Sequence, residues 1–152
     1  MQEGRGLRRE VRPTPAWWAP LAPDDRSRRL HEMKAPSAPL VALIQGVFYA
    51  CTGLWALVDL DSFMAVTGPK TDRWLVKTVG ILVTVIGGVL LLAWRRGAVP
   101  AEVVLLAVGS ALSLTAIDIV YVSNRTISPI YLLDAAAEVG LVLAWITAVR
   151  RE

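Results

Sequence analysis

Residues 74–94 read WLVKTVGILVTVIGGVLLLAW, a run in which Lys77 is the single charged side chain. A helix needs about 20 mainly apolar residues to cross the hydrocarbon core of a bilayer. Lipid offers the backbone no hydrogen-bond partners, so a spanning run must satisfy its own N–H and C=O groups as a helix. This stretch therefore predicts a transmembrane helix.

Three further apolar runs lie around it, at about residues 40–60, 99–122 and 127–149. Short polar turns at residues 95–97 and 123–126 predict that the helices they join are antiparallel neighbours. The hydrophobic share of 55% is also high for a soluble domain. We expect an all-α fold, with residues 39–152 forming an antiparallel four-helix transmembrane bundle. Residues 1–38 form a Pro/Arg/Trp-rich N-terminal extension.

The distribution of basic residues predicts the orientation of this bundle. Twelve lysines and arginines fall on the side of the two termini, and four fall on the opposite side. Because basic residues are enriched in cytoplasmic segments, both termini are expected in the cytoplasm and the protein in the bacterial inner membrane. The N-terminal residues have no apolar core before Leu40, so they do not resemble a signal peptide.

The extension allows two interpretations. It is rich in proline and arginine, a composition typical of a disordered tail that anionic lipids attract. It also contains Trp17 and Trp18, and tryptophan dominates many protein–protein contacts, so the pair could anchor a partner subunit. The residues expected to contact anionic lipid are Arg26, Arg28, Arg29 and Lys34.

Three carboxylates lie at least four residues inside the ends of the last two apolar runs: Asp118, Asp134 and Glu138. A carboxylate within a bilayer costs roughly 2.5–3.5 kcal/mol on insertion scales, so these side chains should face the bundle interior. Together with Lys77 they form the predicted intramembrane polar cluster. Three interpretations remain open. Lys77 could lock Asp118 or Asp134 in an ion pair, the acids could line a pocket for a cation, an amine or a proton, or they could contact a partner subunit.

Small residues recur at helical spacing along three of the runs and predict close helix packing. These stripes are Gly46, Ala50 and Gly53, then Gly80, Thr84 and Gly88, and finally Ala107, Ala111 and Thr115.

Most reactive chemistry has no candidate residues in this chain. His31 is the single histidine and Cys51 the single cysteine, so no intrachain disulfide and no His- or Cys-rich metal site can form. No phosphate-binding loop or zinc-protease motif occurs. We predict no catalytic residue, metal or cofactor, although a bound lipid fits the composition. The basic tail is explained by membrane orientation, so nucleic acid is not an expected partner.

Residues 65–80, AVTGPKTDRWLVKTVG, look like a segment of uncharacterised small bacterial membrane proteins whose architecture resembles the four-helix DoxX-like group. The resemblance would extend over residues 40–149 and leaves the N-terminal extension unmatched. It implies a four-helix membrane fold and assigns no functional residue.

These observations predict a non-catalytic accessory or scaffold subunit of a larger membrane complex, in contact with lipids and partner membrane subunits. The extension and the helix faces would provide its docking surfaces. The alternative is a small solute- or proton-handling protein that uses an acidic pocket in the outer half of the bundle. A membrane enzyme acting on a lipid or quinone is a third possibility.

Overall fold

A computed structural model describes residues 36–151, which form five α-helices and no β-strand. We number them α1 (Ala38–Val58), α2 (Leu60–Thr67), α3 (Arg73–Arg96), α4 (Ala101–Ser123) and α5 (Tyr131–Val149). All except α2 are long and apolar enough to cross a membrane, with mean hydropathies between 1.8 and 2.4 in their most apolar stretches. The expectation of an all-helical, multi-pass membrane protein is supported at this level.

The helix ends follow the proline positions. Pro39 lies in the first turn of α1, and Pro100 is the N-cap of α4. The carbonyl of Pro100 accepts hydrogen bonds from the amides of Val103 and Val104 at 2.9 and 3.1 Å. Proline is tolerated at these positions because its missing N–H would have no partner in the first turn. Helix α4 consequently begins at Ala101, two residues later than its apolar run suggested, and α5 also begins late, at Tyr131.

Helix α2 was not expected from the sequence. It begins after Asp59, whose non-helical backbone (φ −138°, ψ 78°) separates it from α1. The Asp59 carboxylate accepts a hydrogen bond from the amide of Ser62 at 3.1 Å, which caps the new helix. Trp55 strengthens the junction, because its indole N–H donates to the Ser62 hydroxyl at 2.7 Å and its ring meets Phe63 edge-on at 5.4 Å.

Glycines allow α1 and α3 to approach until their backbones nearly touch. A Cβ atom on Gly53 would lie 2.5 Å from the carbonyl oxygen of Gly80, and one on Gly87 would lie 2.8 Å from that of Gly46. The numbering therefore rises along α1 as it falls along α3, so these two helices run in opposite directions. Of the two glycines predicted for the α3 stripe, Gly80 takes part in this approach, but a Cβ on Gly88 meets nothing within 4 Å. Its neighbour Gly87 makes the close approach instead.

The contacts among the other helices determine which side chains are buried. Helix α4 packs mainly against α5, while α1 also contacts α5 and α3 also contacts α4. Ala107 and Ala111, two residues of the predicted α4 stripe, are completely buried. Trp145 of α5 is buried among apolar residues of α1, α3 and α4. The polar residues of α4 and α5 that face inward therefore meet the inner face of α1.

Candidate functional site

The structure places all three predicted acids away from the exposed helix faces. Asp118 and Glu138 are 4% and 0% exposed, and Asp134 is half-buried. Asp134 and Glu138 are one helical turn apart on α5 and therefore share a face. The carboxyl groups of Asp118 and Asp134 lie close enough across the α4–α5 interface to interact electrostatically. The sequence thus identified side chains that the fold does bring together.

Glu138 reaches across to α1, where its partner is Tyr49. The Tyr49 hydroxyl donates a hydrogen bond to Glu138 Oε2 at 3.0 Å, and both side chains are buried. The second oxygen, Glu138 Oε1, is buried without a hydrogen-bond partner, as is Asp118 Oδ2. A buried polar atom without a partner is costly and uncommon in native structures. These two oxygens are therefore the positions at which the site is chemically incomplete.

A second set of hydrogen bonds continues from Tyr49 along the same interface. Gln45 Nε2 donates to the carbonyl of Ala107 at 2.9 Å, and Trp145 Nε1 donates to Gln45 Oε1 at 2.7 Å. Gln45 and Tyr49 are four residues apart on α1 and therefore share a face. A line of polar side chains, which we call the polar line, thus joins α1, α4 and α5, with the acids at the end where α4 stops and α5 begins.

Sequence reasoning missed Gln45, Tyr49 and Trp145 as parts of this site. The signal was present in Gln45, which is the sole amide side chain in the four long helices. Amide groups in membrane helices usually hydrogen-bond to a neighbouring helix. Trp145 carried a weaker signal, because aromatic residues are common near the ends of spans for reasons unrelated to a site. Tyr49 lies in the middle of α1, where its hydroxyl group was a polar signal that was overlooked.

The expected ion pair between Lys77 and an aspartate is not formed. Lys77 is exposed on α3, and no lysine or arginine within residues 36–150 forms an ion pair with any of the three acids. Arg73, the other suggested partner, instead pairs with Asp61 at 2.8 Å on the surface. Lys77 was assigned to the cluster from its depth in the span alone. The structure shows that Lys77 lies on an exposed face of α3, away from the buried acids.

The hydroxyl groups that could have satisfied the acids are also engaged elsewhere. Each of them donates to a backbone carbonyl of its own helix at 2.7–3.0 Å. This self-bonding is common for serine and threonine inside helices. The residues concerned are Thr78, Ser110, Ser113 and Thr115.

A different lysine lies near the acidic end of the polar line. Lys70 donates to the carbonyls of Thr67 and Gly68 at 2.9 and 3.2 Å, and its Nζ lies 5.0 Å from the centroid of the Tyr131 ring. Tyr131 opens α5 one turn before Asp134. The loop after α2 therefore packs beside the start of α5, and the ammonium of Lys70 is satisfied by carbonyls and a π face.

The described part of the chain has no group of three histidine, cysteine or acidic side chains arranged to hold a metal ion. The predicted partner anchors Trp17 and Trp18 lie outside the described residues, as do the lipid-contact residues Arg26, Arg28, Arg29 and Lys34. Their assignments stay predictions.

No protein-family model matches the chain, and neither a curated protein nor a solved structure matches it.

Proposed function

We propose that this chain is an inner-membrane protein with cytoplasmic termini that binds and releases protons at Asp118, Asp134 and Glu138. The four long helices would form an antiparallel bundle with these acids in its outer half. The basic residues on the side of the termini support this orientation. The bundle would bury the polar line between its helices and expose its apolar faces to lipid.

The observation that carries the proposal is the pair of buried carboxylate oxygens without partners, Asp118 Oδ2 and Glu138 Oε1. With no basic side chain of residues 36–150 in an ion pair with them, a proton is the simplest group that can neutralise each acid. Asp118 and Asp134 also repel each other when both are ionised, so a proton on one of them removes a like-charge repulsion. A proton binds directly to a carboxylate oxygen, so the site needs no separate ligand cavity.

The exposures suggest a role for each acid. Asp134 is half-buried and so provides access from the end where α4 stops and α5 begins. Asp118, its neighbour on α4, and Glu138, one turn further along α5, would hold protons in the interior. Tyr49 donates to Glu138 and can stabilise its ionised form when the proton leaves.

The polar line does not offer a continuous path to the other end of the bundle. Beyond Tyr49 it continues through the Gln45 amide, the Ala107 carbonyl and the Trp145 indole. None of these groups exchanges a proton readily, unlike a carboxyl or a hydroxyl. We therefore favour reversible loading from one side over conduction, as in a protein that couples proton binding to a solute or a conformational change.

The test is proton uptake by the purified protein in lipid nanodiscs after a small alkaline-to-acid pH step, measured with a pH indicator. Asp118→Asn and Glu138→Gln should each lower the number of protons bound by the folded protein. Glu102→Gln is the matched control, since Glu102 is an exposed carboxylate in the first turn of α4. In the infrared spectra of Asp118→Asn and Glu138→Gln, the band of the corresponding protonated carboxyl group should be absent. Uptake in both that equals wild type would refute the proposal.

The accessory-subunit hypothesis is a second candidate, and it is tested independently. It depends on the N-terminal extension, so deleting residues 1–34 should release any partner that stays bound after mild detergent extraction. The proton-uptake variants should leave such a partner in place. A monomer that binds protons and retains no partner would favour the first proposal.

A further inference from the structure

An open groove lies between α4 and α5 at the opposite end of the polar line from the acids. Its volume is about 280 Å³. Four aliphatic side chains and the Trp145 ring line it, and Arg150 completes the lining at one end. The aliphatic residues are Val104, Val108, Ile146 and Val149.

The groove has the polarity pattern of an amphiphile. Its aliphatic walls exclude a charged ligand from the interior, while Arg150 supplies a cation where α5 ends. An arginine at the end of a spanning helix extends its guanidinium toward the headgroup layer. Guanidinium binds phosphate through two parallel hydrogen bonds, which a lysine cannot match in geometry.

The dimensions argue against a protein helix as the occupant. Val104 and Val108 are four residues apart, so the α4 wall is about 6 Å long, or roughly one helical turn. A docking helix is about 10–12 Å wide with its side chains and needs several turns of contact. A flexible hydrocarbon chain follows such a short, open channel without that requirement.

We propose that this groove binds one acyl chain of an anionic phospholipid, with the lipid phosphate on Arg150. The site is separate from the acid cluster and does not depend on the proposed proton chemistry. Trp145 is fully buried beneath the aliphatic residues of the groove and donates to Gln45, so its ring orientation is fixed and the groove is preformed. A phosphate without a neighbouring positive charge on its own headgroup is the better match for a single arginine.

The experiment is native mass spectrometry of the full-length protein in detergent, titrated with phosphatidylglycerol or phosphatidylcholine of identical acyl chains. The wild type should retain phosphatidylglycerol preferentially. Arg150→Gln should reduce that preference about fivefold, the value expected for one basic side chain at an anionic lipid surface. Arg96→Gln is the matched control, since it removes the same charge at the end of α3, outside the groove.

Two further measurements test the contributions of the acyl chain and of the phosphate separately. Val108→Phe fills the groove and should weaken binding of both lipids, while glycerol phosphate without a chain should not be retained. An unchanged lipid preference in Arg150→Gln, or an equal loss in Arg96→Gln, overturns the proposal. Retention of glycerol phosphate at lipid-like concentrations also overturns it, because the acyl chain would then be unnecessary.

Discussion

The close approach of α1 and α3 makes a quantitative prediction for Gly53→Ala. The new Cβ would lie 2.5 Å from the carbonyl oxygen of Gly80 and 2.9 Å from the amide nitrogen of Thr84, and it would also contact the Thr84 hydroxyl. Ordinary van der Waals contact begins at 3.4 Å, so the helices must separate by about 0.9 Å to admit the methyl group. The two backbone atoms cannot move aside as a side chain would.

The energetic consequence combines two opposing effects. Overpacking a rigid contact costs about 1–3 kcal/mol. Replacing glycine by alanine in a helix returns up to about 1 kcal/mol. Because the clash involves two backbone atoms, its cost falls in the upper part of that range, about 2–3 kcal/mol, so we expect Gly53→Ala to lower the free energy of unfolding by about 1–2 kcal/mol. Gly88→Ala carries the same propensity gain without a clash, because its Cβ meets nothing within 4 Å. It should be neutral or stabilising.

The assay is equilibrium unfolding in mixed micelles by increasing the fraction of sodium dodecyl sulfate, followed by circular dichroism. Gly87→Ala provides a second measurement of the same interface, since its Cβ would lie 2.7 Å from the Ala50 amide nitrogen. Both interface variants should unfold at a lower detergent fraction than Gly88→Ala. Equal midpoints for Gly53→Ala and Gly88→Ala would show that the backbones do not touch at Gly53 and would refute the reasoning.

Two further outcomes follow from side-chain hydrogen bonds. Tyr49→Phe removes the donor to Glu138 Oε2 and leaves both oxygens of that buried carboxyl without a partner, so it should cost about 1–3 kcal/mol in the same unfolding assay. Tyr121→Phe, at an exposed position, should change little, and equal losses in the two variants would contradict the assignment. The pKa of the Asp59 carboxyl at the start of α2 is lowered mainly by the hydrogen bond from the Ser62 amide, and to a smaller extent by the Ser62 hydroxyl. This cap therefore contributes stability above the pKa of an unfolded aspartate and loses it as the pH falls through the lower folded value. The Ser62 amide resonance should shift at that lower pH in the wild type and stay constant in Asp59→Asn; a midpoint at or above the ordinary aspartate pKa would be the contrary result.

The four long helices were predictable because their apolar length is set by the membrane rather than by tertiary contacts. Helix α2 was not, since eight residues beginning after Asp59 and containing Asp61 read as the polar border of a span. Its formation depends on the Asp59 cap and the Trp55 contact, which are properties of the folded chain.

The candidate site was predictable in its residue types and less so in its partners. Carboxylates within apolar runs must face inward, which correctly located Asp118 and Glu138. The face occupied by Lys77 was not deduced, because its assignment used its depth in the span and not the helix face on which it lies. The small-residue spacing of Gly80 and Thr84 likewise led to Gly88 in place of Gly87.

The tight contact of α1 with α3, and the hydrogen bonds that α1 makes to α4 and α5, have a consequence for biogenesis. The first two spanning helices can associate as soon as they leave the ribosome, because their glycine contacts need no later segment. Gln45 and Tyr49 are then without their hydrogen-bond partners on α5 until that last helix has been synthesised. We expect the nascent protein to pass through a two-helix stage with these polar groups unprotected, and the acids to be sheltered only when the second helix pair docks.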